Sequence, residues 1–175
     1  MMRGRLALLP VLLFAACSKQ EGVRTTAPST LHITSTAFAD GASIPAQYTC
    51  DGANISPPLS WDVGGAPFAA LVVDDPDAPR GTYVHWVVVD IPAGVTSSAE
   101  NAAPSGGVQV KNSAGKPSWT GPCPPSGTHH YRFTIYALPA VTGLDAGASL
   151  DAAIKAIDAN ASEQGRLTGT YHRGG

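Results

Sequence analysis

Ala69-Ala70-Leu71-Val72-Val73-Asp74-Asp75-Pro76-Asp77-Ala78-Pro79-Arg80-Gly81-Thr82-Tyr83-Val84-His85-Trp86-Val87-Val88-Val89-Asp90-Ile91 is the stretch that decides the fold. Two apolar runs, 69–73 and 84–91, flank a polar loop. Both are short, rich in valine and bounded by Pro and Gly, which reads as two buried strands rather than helix. The loop carries Asp74, Asp75 and Asp77, and Pro76 and Pro79 restrict its backbone. His85 lies inside the second run beside Trp86. Carboxylates at a strand end, with a histidine one strand away, are a means of placing a site on a rigid sheet. The same residues are also ordinary turn and core chemistry: Asp accepts backbone hydrogen bonds, Pro presets φ, and His85 can be a satisfied core histidine.

Outward from this stretch the chain stays strand-like. On the N-terminal side, 31–35 alternates and opens a first strand. Residues 38–52 read as a loop with a short strand around Tyr48, and 54–61 as a proline-stiffened approach to a short strand ending at Trp61. On the C-terminal side, 92–107 is a turn-rich excursion, 108–111 a short strand and 112–119 a loop. Residues 130–138 alternate, with Tyr131, Phe133, Ile135 and Ala137 on one side and His130, Arg132, Thr134 and Tyr136 on the other. If the strand already begins at His129, that residue shares the side of Tyr131 and His130 points away. One helix is evident: Ser149 caps it, Leu150, Ile154 and Ile157 form its stripe, and Gly165 is placed to end it. A closing strand follows over 166–171. Many short strands with one late helix predict a mainly β, mostly antiparallel fold.

The 175 residues suffice for one domain after a targeting segment. Residues 1–16 read as a signal peptide: Arg3 and Arg5 make a positive start, and 6–14 is an apolar run too short to span a bilayer. Phe14-Ala15-Ala16-Cys17 resembles a lipobox, with Cys17 as the lipidated mature N-terminus; Phe14 departs from the usual Leu. The alternative is a plain signal peptide with a free Cys17. Residues 17–30 are expected to be the lipidated cysteine and a flexible tether, and 31–175 the folded domain. The localisation expected is the bacterial cell envelope, on the periplasmic side of the outer membrane if the cell is Gram-negative. The chain holds 11 basic and 13 acidic residues, and loss of Arg3 and Arg5 with the leader takes the formal charge from −2 to about −4. With no basic run or aromatic–basic interleaving, nucleic acid is not expected as a partner. With Cys17 lipidated, Cys50 and Cys123 remain as a pair in an oxidising compartment and are expected to bond; two free thiols or a thiolate metal site are the alternatives.

A second motif joins the first: Gly121-Pro122-Cys123-Pro124-Pro125-Ser126-Gly127-Thr128-His129-His130-Tyr131. Together with Asp75-Pro76-Asp77-Ala78-Pro79, His85-Trp86, Ser56-Pro57-Pro58-Leu59-Ser60-Trp61 and Leu167-Thr168-Gly169-Thr170-Tyr171, it resembles the phosphatidylethanolamine-binding protein family, and within it the bacterial Raf-kinase-inhibitor-like branch. The resemblance runs over about 31–173. It implies a large antiparallel sheet packed on a smaller sheet, with a helix at the C-terminal side. It also implies a small surface pocket for phosphate-like anions and phospholipid headgroups, lined by Asp75, Asp77, His85, Pro124, His129 and Tyr131.

Those residue types suit such a ligand. Histidine, tyrosine and loop N–H groups donate to an anion, while carboxylates attract an ammonium. A carboxylate from Asp75 beside His85 is expected to raise the histidine's pKa and favour its charged form. The partners expected are therefore a small anionic or zwitterionic ligand, and a membrane through the lipid anchor. No cofactor, metal or catalytic residue is expected. Two readings compete: a protease inhibitor acting through the 92–107 loop, and a metal-dependent hydrolase built on the Asp/His cluster, which lacks a nucleophile elbow and a His-Glu-x-x-His motif.

Overall fold

The computed structural model describes residues 22–174. The segments expected to be strands fold into two antiparallel sheets. Strands β1 (Ile33–Thr34), β2 (Leu59–Trp61) and β5 (Ser97–Ser98) form the small sheet in the order β1-β2-β5. Strands β3 (Phe68–Asp75), β4 (Tyr83–Pro92), β6 (Val108–Gln109), β7 (Gly127–Leu138) and β8 (Glu163–Arg173) form the large sheet in the order β6-β4-β3-β7-β8. A single α-helix among the described residues, α1 (Leu150–Asn160), precedes β8.

Both faces of the large sheet are covered, which explains why 69–73 is continuously apolar instead of alternating. Leu71, Val73, Phe133 and Ile135 face the small sheet and pack with Leu59, Trp61 and Phe38. Ala70, Val72, Val87 and Tyr136 face the other way, against Leu150, Ala153 and Ile157 of α1. Strand β3 lies between β4 and β7, so the polar end of β3 is held by neighbours on both sides.

Two irregularities in the β3–β4 ladder matter. Val73 pairs with Trp86 while the next residue, Asp74, pairs with Val84, so His85 is the extra residue of a β-bulge. A bulge re-aims a side chain that strict alternation would send elsewhere. Val84 belongs to the helix-side cluster and Trp86 to the other, so the parity of β4 switches at His85. The second shift lies between Ala69 and Leu71, opposite Asp90, whose φ of 57° is left-handed.

Three local expectations are corrected. The segment around Tyr48 is a 3-10 turn, Ala46–Tyr48, not a strand: Pro45 sets its entry, and its carbonyl accepts from Tyr48 N–H at 3.0 Å. The helix ends at Asn160 with Ala161 as its cap, not at Gly165, which lies within β8 against Leu31. Residues 22–30, the described part of the expected tether, lie along the domain. Gln164 N–H donates to the Pro28 carbonyl, Thr30 N–H donates to the Gln164 carbonyl, and Arg24 N–H donates to Asp158 Oδ1. Cys17 and the leader fall outside the described residues.

Candidate functional site

The end of the large sheet where β3 stops, β4 starts and β7 begins carries the site. The loop between β3 and β4 opens with Asp75, whose Oδ1 accepts from Asp77 N–H at 2.8 Å, an Asx turn that fixes the Pro76-Asp77 corner. The three aspartates are then taken up by β7. Asp74, paired in register with Arg132, receives its guanidinium at both oxygens, at 2.6 and 2.7 Å. Asp75 Oδ2 accepts from His129 Nδ1 at 2.7 Å. Asp77 Oδ2 accepts from His130 Nδ1 at 2.7 Å and from His130 N–H at 2.8 Å. Burial acts to raise the Asp77 carboxyl pKa, but the two hydrogen bonds from His130 outweigh it and hold the group below the ordinary carboxylate range.

Beside these pairs is a cavity of about 270 Å³, lined by Asp75, Ala78, Pro79, Tyr83, His85, Thr120, Gly121, Cys123, Pro124, Pro125 and His129. Four of the residues expected to line a pocket are therefore brought together here: Asp75, His85, Pro124 and His129. Tyr131 lies beneath, fully buried, with its ring edge against His85 at 5.3 Å between centroids. Its hydroxyl is buried without a hydrogen-bond partner. Burial, then the Asp75 carboxylate, push its pKa up, the Cys123 backbone N–H opposing this only in part, so it keeps its proton and is able to donate it. Asp77 is not in the lining; it is paired with the exposed His130.

The expected chemistry of His85 needs correction. Asp75 is bonded to His129, not to His85. His85 Nδ1 lies 2.7 Å from the Thr120 carbonyl, and a carbonyl only accepts, so Nδ1 carries the proton. Burial lowers the His85 pKa, and the Thr120 bond and the nearby Asp75 and Asp74 carboxylates offset this only in part. His85 is accordingly neutral at pH 7, with Nε2 as its free, accepting nitrogen.

The loop opposite is held by two devices. Cys50 and Cys123 are joined by a disulfide, with Cα atoms 5.4 Å apart, and Cys50 N–H donates to the Pro122 carbonyl. Asn112 is the second, and sequence reading passed over it. Its Nδ2 donates towards the Ser118 carbonyl at 2.9 Å and towards the His85 carbonyl and Thr120 Oγ1, each at 3.0 Å. Its Oδ1 accepts from Ala114 and Lys116 N–H. The signal was present as Asn112-Ser113-Ala114-Gly115, a turn opened by Asn and closed by a left-handed Gly115. Tyr83 and Thr120 were also missed; Tyr83 stands two residues before His85 and touches its ring at 4.8 Å.

Proline limits what the loop backbone can offer. Pro122, Pro124 and Pro125 have no N–H, and Gly121 N–H is already bonded to Asn54 Oδ1 at 2.8 Å. Among the described residues no group of three or more His, Cys, Asp or Glu is placed to hold a metal ion.

A model of the family described as phosphatidylethanolamine-binding protein matches residues 34–172, which takes in strands of both sheets and every residue of the cavity. The chain belongs to the phosphatidylethanolamine-binding protein family. Relatives agree. A UPF0098 protein of Mycobacterium tuberculosis is 58% identical over 144 residues, covering 81% of this chain and 70% of that protein. LppC of the same species, named as a candidate lipoprotein, is 53% identical over 144 residues, covering 81% of this chain and 72% of LppC. Among solved structures, a family homologue from Chlamydia trachomatis has a TM-score of 0.76 at 37% identity, covering 82% of this chain and 97% of that one. Escherichia coli YbcL, described as a new member of the mammalian family, has the same TM-score of 0.76 at 31% identity, covering 82% and 98%.

Proposed function

We propose that this family member is an envelope lipoprotein whose cavity binds a small phosphorylated, zwitterionic headgroup of the phosphoethanolamine type without transforming it. The observation that carries the reading is the cavity's composition: hydrogen-bonding nitrogens of His85 and His129 and apolar Ala78, Pro79, Pro124 and Pro125, with no lysine or arginine in the lining. A bare polyanion would find no fixed positive charge there, whereas a zwitterion brings its own countercharge and needs less. About 270 Å³ is at the small end for ligand pockets, matching a headgroup rather than an acyl chain. Neutral His85 can accept a proton from a monoprotonated phosphate through Nε2, and the unpartnered Tyr131 hydroxyl lies close by as a donor.

Support for binding rather than catalysis comes from what the histidines touch. Among the described residues, no serine, threonine or cysteine side chain is hydrogen-bonded to His85 or His129, so neither is paired with a side-chain nucleophile. Calorimetric titration of phosphoethanolamine and of inorganic phosphate tests the reading. Phosphoethanolamine should bind more tightly, and His85→Ala should lower its affinity by about tenfold. Equal affinity for both ligands, or no loss in His85→Ala, refutes it. The lipoprotein part rests on the Ala15-Ala16-Cys17 motif and on the likeness to LppC. Mass spectrometry of the mature N-terminus should find lipid on Cys17, and a plain cleaved chain would exclude it.

A further inference from the structure

A second cavity, of about 250 Å³, shares the 118–121 segment with the first: Thr120 and Gly121 line one, Ser118 and Trp119 the other. Its chemistry is different. Asn54, Asn101, Gln109, Ser118, Trp86 and Trp119 make most of its wall, and no Asp, Glu, Lys, Arg or His lines it. The nearest acidic neighbour in sequence, Glu100, has its carboxylate bonded to Gln47 Nε2 at 2.9 Å and to the Tyr48 hydroxyl at 2.7 Å.

The orientation of two amides is fixed by their partners. Asn54 Oδ1 accepts from Gly121 N–H at 2.8 Å, and Gln109 Oε1 accepts from Trp86 Nε1 at 2.8 Å. Both partners are donors only, so in each amide the oxygen faces the protein and the NH2 group is left over. Trp119 adds a third donor: its Nε1 is buried without a hydrogen-bond partner. Its ring is held in place, stacked on Phe133 at 6.1 Å and edge-on to Trp86 at 5.7 Å. The cavity is thus rich in donors, uncharged, and walled by two indoles. A buried unmet donor is costly and favours a ligand that supplies an acceptor. An ion would lose its hydration with no countercharge to replace it.

We propose that this second cavity is a binding site for a neutral, oxygen-rich small molecule about the size of one sugar ring, whose hydroxyl or carbonyl oxygens accept from Trp119 Nε1, Asn54 Nδ2 and Gln109 Nε2. This site is independent of the phosphorylated-headgroup reading, since no residue lines both cavities.

The three indole N–H groups make the test direct. Trp61 Nε1 is bonded to the Val95 carbonyl at 3.1 Å and Trp86 Nε1 to Gln109, so Trp119 alone has an unmet N–H. The nitrogen-labelled full chain is titrated with N-acetylglucosamine, which is neutral, and with glucosamine, its cationic counterpart, while the indole resonances are followed by NMR. N-acetylglucosamine should move the Trp119 signal saturably, at millimolar dissociation constant, and leave Trp61 unmoved; glucosamine should bind several-fold more weakly. Trp119→Phe keeps an aromatic ring at the position, though a smaller one, and removes the donor, and should weaken binding about fivefold to tenfold as read at Trp86. An unmoved Trp119 signal, equal binding of the two sugars, or full affinity in Trp119→Phe would each overturn the proposal. Should Trp119→Phe fail to fold, the neutral and cationic titrations of the wild-type chain decide it.

Discussion

Asn112→Ala should be among the most damaging single substitutions outside the apolar core. Asn112 is 3% exposed, and its side chain ties the 113–116 turn to β4 and to the segment that walls both cavities. Its Nδ2 has two hydrogens for three oxygens, the His85 and Ser118 carbonyls and Thr120 Oγ1, so about two inward bonds are formed at a time. Two more bonds, from Ala114 and Lys116 N–H to Oδ1, lie in an exposed turn where water can substitute. At about 1 to 1.5 kcal/mol for each inward bond, with a smaller share from the turn, the expected loss is about 3 kcal/mol. Urea denaturation followed by circular dichroism measures it as a fall in midpoint at unchanged slope. Asn112→Asp is the sharper comparison. It keeps the acceptor for the turn but turns a carboxylate oxygen towards two carbonyls, so it should cost at least as much as alanine. A loss below about 1 kcal/mol in Asn112→Ala, or an Asn112→Asp clearly milder than alanine, would refute the reasoning.

The Cys50–Cys123 disulfide closes a separation of 73 residues, and replacing both cysteines by serine should cost about 4 kcal/mol in the chain-entropy model, measured by the same denaturation. A double variant as stable as the parent would show that the denatured chain is not what the bond restrains. The pH dependence follows from His85. Its folded pKa lies below the ordinary value because of burial, so the unfolded chain takes up the proton first. The contribution of neutral His85 is fully present above about pH 6.5 and is lost as pH falls from there towards the folded pKa. His85→Asn should therefore flatten the fall in urea midpoint below about pH 6.5 relative to wild type, and parallel profiles would exclude this role.

The large sheet was legible because its signals are local. A continuous apolar run such as 69–73 has one physical meaning when it is too short for a helix and bounded by Pro and Gly: a strand covered on both faces. The alternation of β7 likewise separated Tyr131 and Phe133 from Arg132. The misses arise where long-range contacts overrule local ones. Gly165 offers helix termination, yet its lack of a side chain is what admits the Leu31 backbone beside β8. Residues 22–30 have the composition of a linker, but their backbone hydrogen-bonds to Gln164, Pro28 included, and composition carries no record of such pairing. The bulge at His85 is also silent in sequence, because it is a property of register between two strands.

The aspartates show why a site residue and a ligand-contacting residue need separate arguments. Asp74, Asp75 and Asp77 stood out as carboxylates gathered at a strand end, and each is engaged by one residue of β7: Arg132, His129 and His130. Both oxygens of Asp75 are occupied, one by His129 and one by the Asp77 N–H. Under the proposed binding role, a ligand in the cavity should meet the histidine that Asp75 orients more readily than the carboxylate itself. The bond fixes Nδ1 of His129 as the inward nitrogen and leaves Nε2 for the cavity, as the Thr120 carbonyl does for His85. Two imidazoles, each anchored through Nδ1 by a different neighbour, present the same nitrogen. That arrangement arises from an Asx turn, a bulge and an Asn-centred loop acting together, none of which alone marks the site.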